Sequence, residues 1–226
     1  MELVFIPFWV PPSVIYIFLV GVVCFGIAFI LRRPSVLGSI GELKVALRLR
    51  RALDPDIYTI FHEVLLPSRG GTTQIDHVIV SRFGIFVIET KNMSGWIFGG
   101  ADQKSWTQSF PRKKLKFQNP LRQNYRHLRT LEDVLAVPRA ALHNVVVFVG
   151  PASPKTKMPD NVLWNTRDLA EFVLRQGEPV FSQAEVNGLC RRLNAAQLVV
   201  NRAAKRTHRE NLQRERRESR HRSFRP

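Results

Sequence analysis

The chain has 226 residues, with 34 Lys and Arg against 18 Asp and Glu and a formal net charge of +16. That length supports one domain with a proper core plus appendages, and the charge excess favours polyanionic partners, nucleic acid or anionic lipid, over a tail that only raises solubility or holds an anchor in place. Cys24 and Cys190 stand far apart and join no CxxC or Cys/His cluster, which excludes a disulfide framework and a structural zinc site and suits a reducing compartment.

From Ser13 to Leu31 the run SVIYIFLVGVVCFGIAFIL carries no charge and is followed at once by Arg32 and Arg33. It is long enough to cross a hydrocarbon core as a helix. The start MELVF and the exit LRRP fit a retained anchor better than a cleaved signal, which would place basic residues before a shorter apolar run. The positive-inside tendency sets Arg32, Arg33 and the body behind them in the cytoplasm and the amino terminus outside. The expected organisation is an anchor over 1–33, a soluble α/β domain over 34–198, and a basic tail over 199–226.

Past the anchor, GSIGELKVALRLRRALDP predicts a helix over about 40–53, with Leu43, Ala46, Leu47 and Leu53 near helical spacing and a stop at Asp54-Pro55. IYTIFHEVLLP alternates loosely as a first strand, and RGGTT reads as a turn. Two more strands follow, Gln74 to Ser81 and Ile85 to Lys91, close enough across Arg82-Phe83-Gly84 for a hairpin. GWIFGG and KSWTQSF read as a further hairpin pair. The basic, aromatic PRKKLKFQNP leads into a helix with Leu121, Leu128, Leu131 and Leu135 at helical spacing. NVVVFVG is a continuous apolar strand of the kind buried on both faces. Thr166 and Ser182 are expected N-caps of two closing helices.

Residues 202–226 are dense in arginine and nearly devoid of apolar side chains, so they bury too little surface to offset chain entropy. A frayed basic helix passing into a disordered tail is expected, with nucleic acid, anionic lipid of the inner leaflet or no specific partner as open alternatives.

The strands QIDHVIV and IFVIETK carry charges inside apolar runs. Alternation puts Gln74, Asp76, Val78 and Val80 on one face and Ile75, His77 and Ile79 on the other, while Ile85, Val87, Glu89 and Lys91 share a face of the partner strand. Asp76 and Glu89 can therefore converge at one sheet edge, where two carboxylates repel unless a cation lies between them. Hard oxygen ligands with room for water suit Mg²⁺, and Lys91 can orient water and stabilise charge on a phosphoryl oxygen. A structural ion pair of Lys91 with Glu89 or Asp76 is the alternative. Glu42 on the preceding helix, and Gln123 and His127 at i, i+4 on the later one, can face the same edge.

Gly41-Glu42, Ile75-Asp76-His77, Glu89-Thr90-Lys91 and NPLRQNYRHL (119–128) together resemble the nuclease-related domain, NERD, over residues 38–150. That family is similar to the PD-(D/E)XK nuclease superfamily. The resemblance implies a restriction-endonuclease-like α/β fold, with a central mixed sheet flanked by helices, and Mg²⁺-dependent phosphodiester hydrolysis, Mn²⁺ being a substitute. It makes Asp76 and Glu89 the metal carboxylates, with the Thr90 carbonyl beside them, Lys91 the catalytic lysine, Glu42 the helix glutamate and Gln123 the glutamine of the late helix. Ile75 stands where the superfamily's name has proline, and His127 where relatives carry tyrosine.

Arg112, Lys113, Lys114 and Lys116, interleaved with Phe110 and Phe117, form a candidate phosphate-tracking segment, with a solvated loop as the plainer reading. His62-Glu63 sits in the first strand with its side chains on opposite faces. The expected activity is that of a membrane-anchored cytoplasmic nuclease acting on DNA. The rivals are a non-cleaving nucleic-acid-binding module and a membrane scaffold whose tail binds lipid.

Overall fold

The computed structural model describes residues 34–68 and 71–197, together with positions 16, 20, 22, 209, 210, 212 and 213. The expected anchor at 13–31 and the tail at 202–226 fall outside the described residues except at those isolated positions. Among the described residues no helix is long and apolar enough to cross a membrane. The chain divides into two compact units, 1–40 and 41–226.

Helix α1 (Pro34–Ala52) starts earlier than the sequence predicts, and its buried face differs too. Leu43 is 58% and Leu47 44% exposed, whereas Val45, Leu49 and Leu53 are buried. Gly41 heads this i, i+4 row. A Cβ there would stand 2.8 Å from Asn92 Cβ and 3.1 Å from Val149 Cγ2. Only a bare backbone lets the helix approach the strand ends so closely, and that approach carries the adjacent Glu42 toward them.

Five strands form the central sheet in the order β1-β2-β3-β7-β9. β1 (Tyr58–Ser68), β2 (Gly71–Ser81) and β3 (Gly84–Lys91) are antiparallel neighbours, with Ser81 paired to Gly84 across a two-residue turn. β7 (Leu142–Phe148) lies parallel to β3, and β9 (Val162–Leu163) parallel to β7. Val145, Val146, Val147 and Phe148 are fully buried, as an uninterrupted apolar strand between two neighbours requires. Each such side chain contributes about 1.5–3 kcal/mol on burial.

Helices cover both faces. α2 (Pro120–Leu135) and α4 (Gln183–Ala196) bury Leu128, Leu131, Leu135, Val186 and Leu189 against Val78, Val80, Ile85 and Val87. On the opposite face α1 and α3 (Thr166–Leu174) close over Ile79, Phe86 and Ile88. The result is a mixed α/β architecture with a layer of helices on each side of a mixed sheet.

A second sheet has the order β6-β5-β4-β8. β4 (Gly95–Phe98), β5 (Ser105–Phe110) and β6 (Lys113–Gln118) form an antiparallel meander, and β8 (Ala152–Pro154) lies parallel to β4. The basic segment read as a lead-in to the helix is thus itself an edge strand.

Helix starts follow side-chain chemistry. Asn119 accepts from the Leu121 N–H with Pro120 at the first helical position, and Ser182 with Glu185 makes a complete capping box. The cap of α3 is Asn165, not Thr166: its Oδ1 accepts from the N–H groups of Arg167 and Asp168, both at 2.9 Å. Asn165→Ala is therefore expected to cost about 1 kcal/mol in chemical denaturation and Thr166→Ala a small fraction of that.

Candidate active site

The central sheet opens where its charges lie. The β2–β3 ladder ends at the pair His77 and Ile88, and continuing its register sets Asp76 opposite Glu89. In place of a further ladder bond, Asp76 Oδ2 accepts the Thr90 N–H at 2.7 Å. Lys91 O accepts from the Val149 N–H on the β7 side. Neighbouring residues of a strand alternate edges, so the main-chain groups of Thr90 face β2, as its N–H confirms, and its carbonyl shares the edge occupied by Asp76.

The simple alternation expected along β2 fails at this place. Ile75 packs in the same cluster as Val78 and Val80, and on β1 both Phe61 and Val64 meet that cluster. Both strands change phase between these positions, beside Glu63, whose φ of 50° lies in the left-handed region. A non-glycine residue there costs about 1–2 kcal/mol, and such strain collects near functional sites. The shift leaves Asp76 at the open end of the β2–β3 ladder while its apolar neighbours stay in the core.

Glu89 is 3% exposed and holds the centre of the cluster. Its Oε1 accepts from Lys91 Nζ at 2.5 Å, and the same ammonium donates to Gln123 Oε1 at 3.0 Å. His127 Nε2 stands 3.5 Å from Glu89 Oε2, longer than a hydrogen bond, and has no hydrogen-bond partner of its own. Thr73 Oγ1 fixes that ring from β2 at 2.8 Å from Nδ1. Gln123 and His127, one helical turn apart on α2, thus reach Lys91 and Glu89 respectively.

The charges are unequal in state. Burial pushes the Asp76 carboxyl well above the usual aspartate value, and the charges of Glu89 and then Glu42 push it further, against the Thr90 hydrogen bond and Lys91. Burial raises Glu89 as well, but the charge of Lys91 and the contact with His127 outweigh it and lower the group to about 2. Glu89 is therefore anionic at neutral pH, and Asp76 sits in a negative field that a cation would relieve.

Among the described residues no group of three or more His, Cys, Asp or Glu side chains could hold a metal ion. Mg²⁺ does not need one, because it is commonly held by one or two carboxylates with water and phosphate oxygens filling the rest of its shell. Asp76, Glu89 and the Thr90 carbonyl form such a set of hard oxygen donors. The buried Thr90 Oγ1, which has no hydrogen-bond partner, lies on the same residue.

Other sequence candidates fall elsewhere. Arg112, Lys113, Lys114 and Lys116 are exposed along the β5–β6 hairpin. His62 joins His77 through a hydrogen bond between the two Nδ1 atoms at 2.8 Å. Cys190 is a free thiol whose burial raises its pKa.

Sequence reasoning missed Asn124 and Thr73. Asn124 is fully buried, and its Nδ2 donates to Val87 O, Asn144 Oδ1 and Val145 O at 2.7, 2.8 and 3.1 Å, locking α2 to β3 and β7. The available signal was a gap: the row Leu121, Leu128, Leu131, Leu135 lacks an apolar residue at 124. Thr73 gave none.

A two-layered helical cover over a mixed sheet, with Asp and Glu-x-Lys gathered at its open end, is the arrangement of a PD-(D/E)XK-like domain. The family model of the nuclease-related domain matches residues 37–149, half of the chain, and the chain belongs to that family. A protein of Bacillus anthracis described as uncharacterized is 45% identical over 116 residues, 49% of this chain and 54% of the relative. The chain thus spans about half the length of the curated relative it matches. No solved structure matches it.

Proposed function

We propose that this protein is a metal-dependent nuclease that hydrolyses phosphodiester bonds in DNA, with the restriction-endonuclease-like arrangement expected of its superfamily. The observation that carries the reading is the convergence of Glu89, Lys91, Gln123 and His127, with Asp76 bonded to the intervening Thr90.

In this reading Asp76, Glu89 and the Thr90 carbonyl hold Mg²⁺, whose contribution when bound is to neutralise charge at the scissile phosphate. Lys91 Nζ is held on one side by Glu89 and on the other by the Gln123 side-chain carbonyl. Its third proton is available to orient the attacking water or to meet charge growing on a phosphoryl oxygen. Gln123 fixes the Nζ position, and Glu42 adds negative potential that favours cation capture. The net charge of +16 supports a nucleic-acid substrate, drawn in by long-range attraction. The apolar run at 13–31 and the arginines behind it support a single-pass anchor with the domain on the cytoplasmic side, and the tail at 202–226 supports a contact with anionic lipid.

The test is cleavage of linear, circular and single-stranded DNA by the full chain with Mg²⁺, Mn²⁺ or EDTA. Metal-dependent products with wild type and none with Asp76→Ala are expected. Equal trace activity in both would remove the catalytic assignment. Salt-sensitive binding without product on any substrate would favour the non-cleaving module, in which the Glu89–Lys91 pair is structural.

A further inference from the structure

We propose that the outward face of the second sheet is a stacking platform for single-stranded nucleic acid, on which Trp96 and Phe98 each take a base while Lys114, Lys116 and Lys155 meet the phosphates. The proposal rests on the nuclease reading for its biological use and names the form of its substrate. The binding itself requires no cleavage.

Residues alternate strictly along β4. Ile97 is fully buried in the cluster that also holds Trp106 and Phe148, whereas Trp96 is 45% and Phe98 38% exposed. Two large rings at i and i+2 of one strand lie on the same face, roughly 6.7 Å apart along it. Cross-strand register assembles the rest of the face. Trp96 pairs with Ser109 and Phe98 with Thr107 on β5, and these pair in turn with Lys114 and Lys116 on β6. From the β8 side, Lys155 sets its ammonium over the Trp96 ring, 5.5 Å from the centroid. Residues 93–118 carry Lys104, Arg112, Lys113, Lys114 and Lys116 against one acid, Asp102.

Lysines on an edge strand are a common guard against edge-to-edge pairing, and that role alone would explain β6. It does not explain exposed rings on β4, which is an interior strand between β5 and β8. Solvent-facing aromatics flanked by ammonium groups are what an unpaired strand needs: a π-face for each base and positive charge along the backbone. A duplex keeps its base faces stacked inside and gains nothing from such rings. The platform is also joined to the active site at both ends. β3 ends at Lys91 and the chain enters β4 at Gly95; β6 ends at Gln118, and Asn119 caps the helix that carries Gln123 and His127. The platform and the residues assigned to hydrolysis are therefore joined by two short connections, 92–94 and 119.

The experiment uses the full chain in EDTA, so that binding is read without cleavage. Fluorescence anisotropy would compare a short oligo-dT, an oligo-U, and a hairpin duplex of equal charge, alongside sedimentation with phosphatidylglycerol vesicles. The two single strands should bind more tightly than the duplex. Trp96→Ala and Phe98→Ala should each weaken that binding about tenfold or more, read at a temperature where thermal unfolding shows each variant fully folded, because each ring is only partly exposed. Lys114→Gln with Lys116→Gln should flatten the salt dependence. Equal affinity for duplex and single strand, or wild-type binding by both alanine variants, would overturn the platform. So would vesicle binding that is lost in those variants while oligonucleotide binding is kept. If single strands bind as described and no substrate is cleaved with metal, the nuclease reading fails and the platform stands. If cleavage persists with unaltered substrate preference in Trp96→Ala and Phe98→Ala, the platform fails and the nuclease reading stands.

Discussion

Lys91→Met is expected to lower the rate of metal-dependent cleavage by about 10²–10³-fold, the usual cost of removing a preorganised charge-stabilising donor, with little change in KM. The lysine is one atom-length from two different roles, and the variant separates them. Its ammonium bonds Glu89 at 2.5 Å and Gln123 at 3.0 Å, so as a structural cation it would only hold β3 to α2. As a catalytic group it uses its remaining proton on water or a phosphoryl oxygen, and that loss appears in kcat. Lys91→Arg is the control. It restores the charge and an ion pair to Glu89, but a planar fork cannot take the place of a rotatable ammonium between two acceptors. A structural lysine would be rescued by arginine, and a catalytic one would stay impaired. Wild-type kcat in Lys91→Met would remove the residue from the mechanism. The variant should also shift the acid limb of the pH profile upward, because that limb follows the raised Asp76 carboxyl, and the charge of Lys91 is one of the influences that hold it down.

The parts of the site that were legible in sequence are those where polar residues interrupt an apolar pattern. Asp76, Glu89 and Lys91 stand out because β2 and β3 are otherwise hydrophobic, and Gln123 and His127 because i, i+4 spacing sets them on one face of α2. What escaped reading depends on backbone geometry that composition does not encode. Parity along β2 fails at Ile75 because Glu63, on the neighbouring strand, adopts φ 50° and both strands change phase there. The contact face of α1 was misplaced because its head is Gly41, which packs through the absence of a side chain; a helix read only for leucines assigns that face to Leu43 and Leu47. β6 was hidden by its lysines, which mask alternation while serving an exposed edge. Asn124 hides in the opposite way: it is a polar residue at a core position, where its amide N–H groups reach three acceptors on strands distant in sequence while its Oδ1 has no hydrogen-bond partner. Asn165 outcompeted Thr166 as a cap, a one-residue displacement that spacing alone does not resolve.

Asp76→Asn should abolish cleavage and yet melt at a higher temperature than wild type when both are metal-free at neutral or alkaline pH. The folded-state pKa of Asp76 is raised by burial, by Glu89 and by Glu42. A raised folded pKa means that the folded protein binds this proton more tightly than the unfolded chain does. The corresponding stability is fully present below the ordinary aspartate range and is lost as pH rises through the folded pKa, where Asp76 must ionise beside other anions. Asparagine keeps an oxygen that can accept the Thr90 N–H and removes the charge, so each kcal/mol released should appear as about 2–4 °C in a chain of this size. The gap should close on acidification below the ordinary aspartate range, where wild type carries the proton itself. Mg²⁺ should raise the wild-type melting temperature in proportion to RT ln(1 + [Mg²⁺]/Kd) and leave Asp76→Asn nearly unmoved. Differential scanning calorimetry across pH, with and without EDTA, reads all three effects. A lower melting temperature for Asp76→Asn at every pH would show that the carboxylate is a structural acceptor whose charge the fold tolerates, and the negative field argued to draw a cation would be absent.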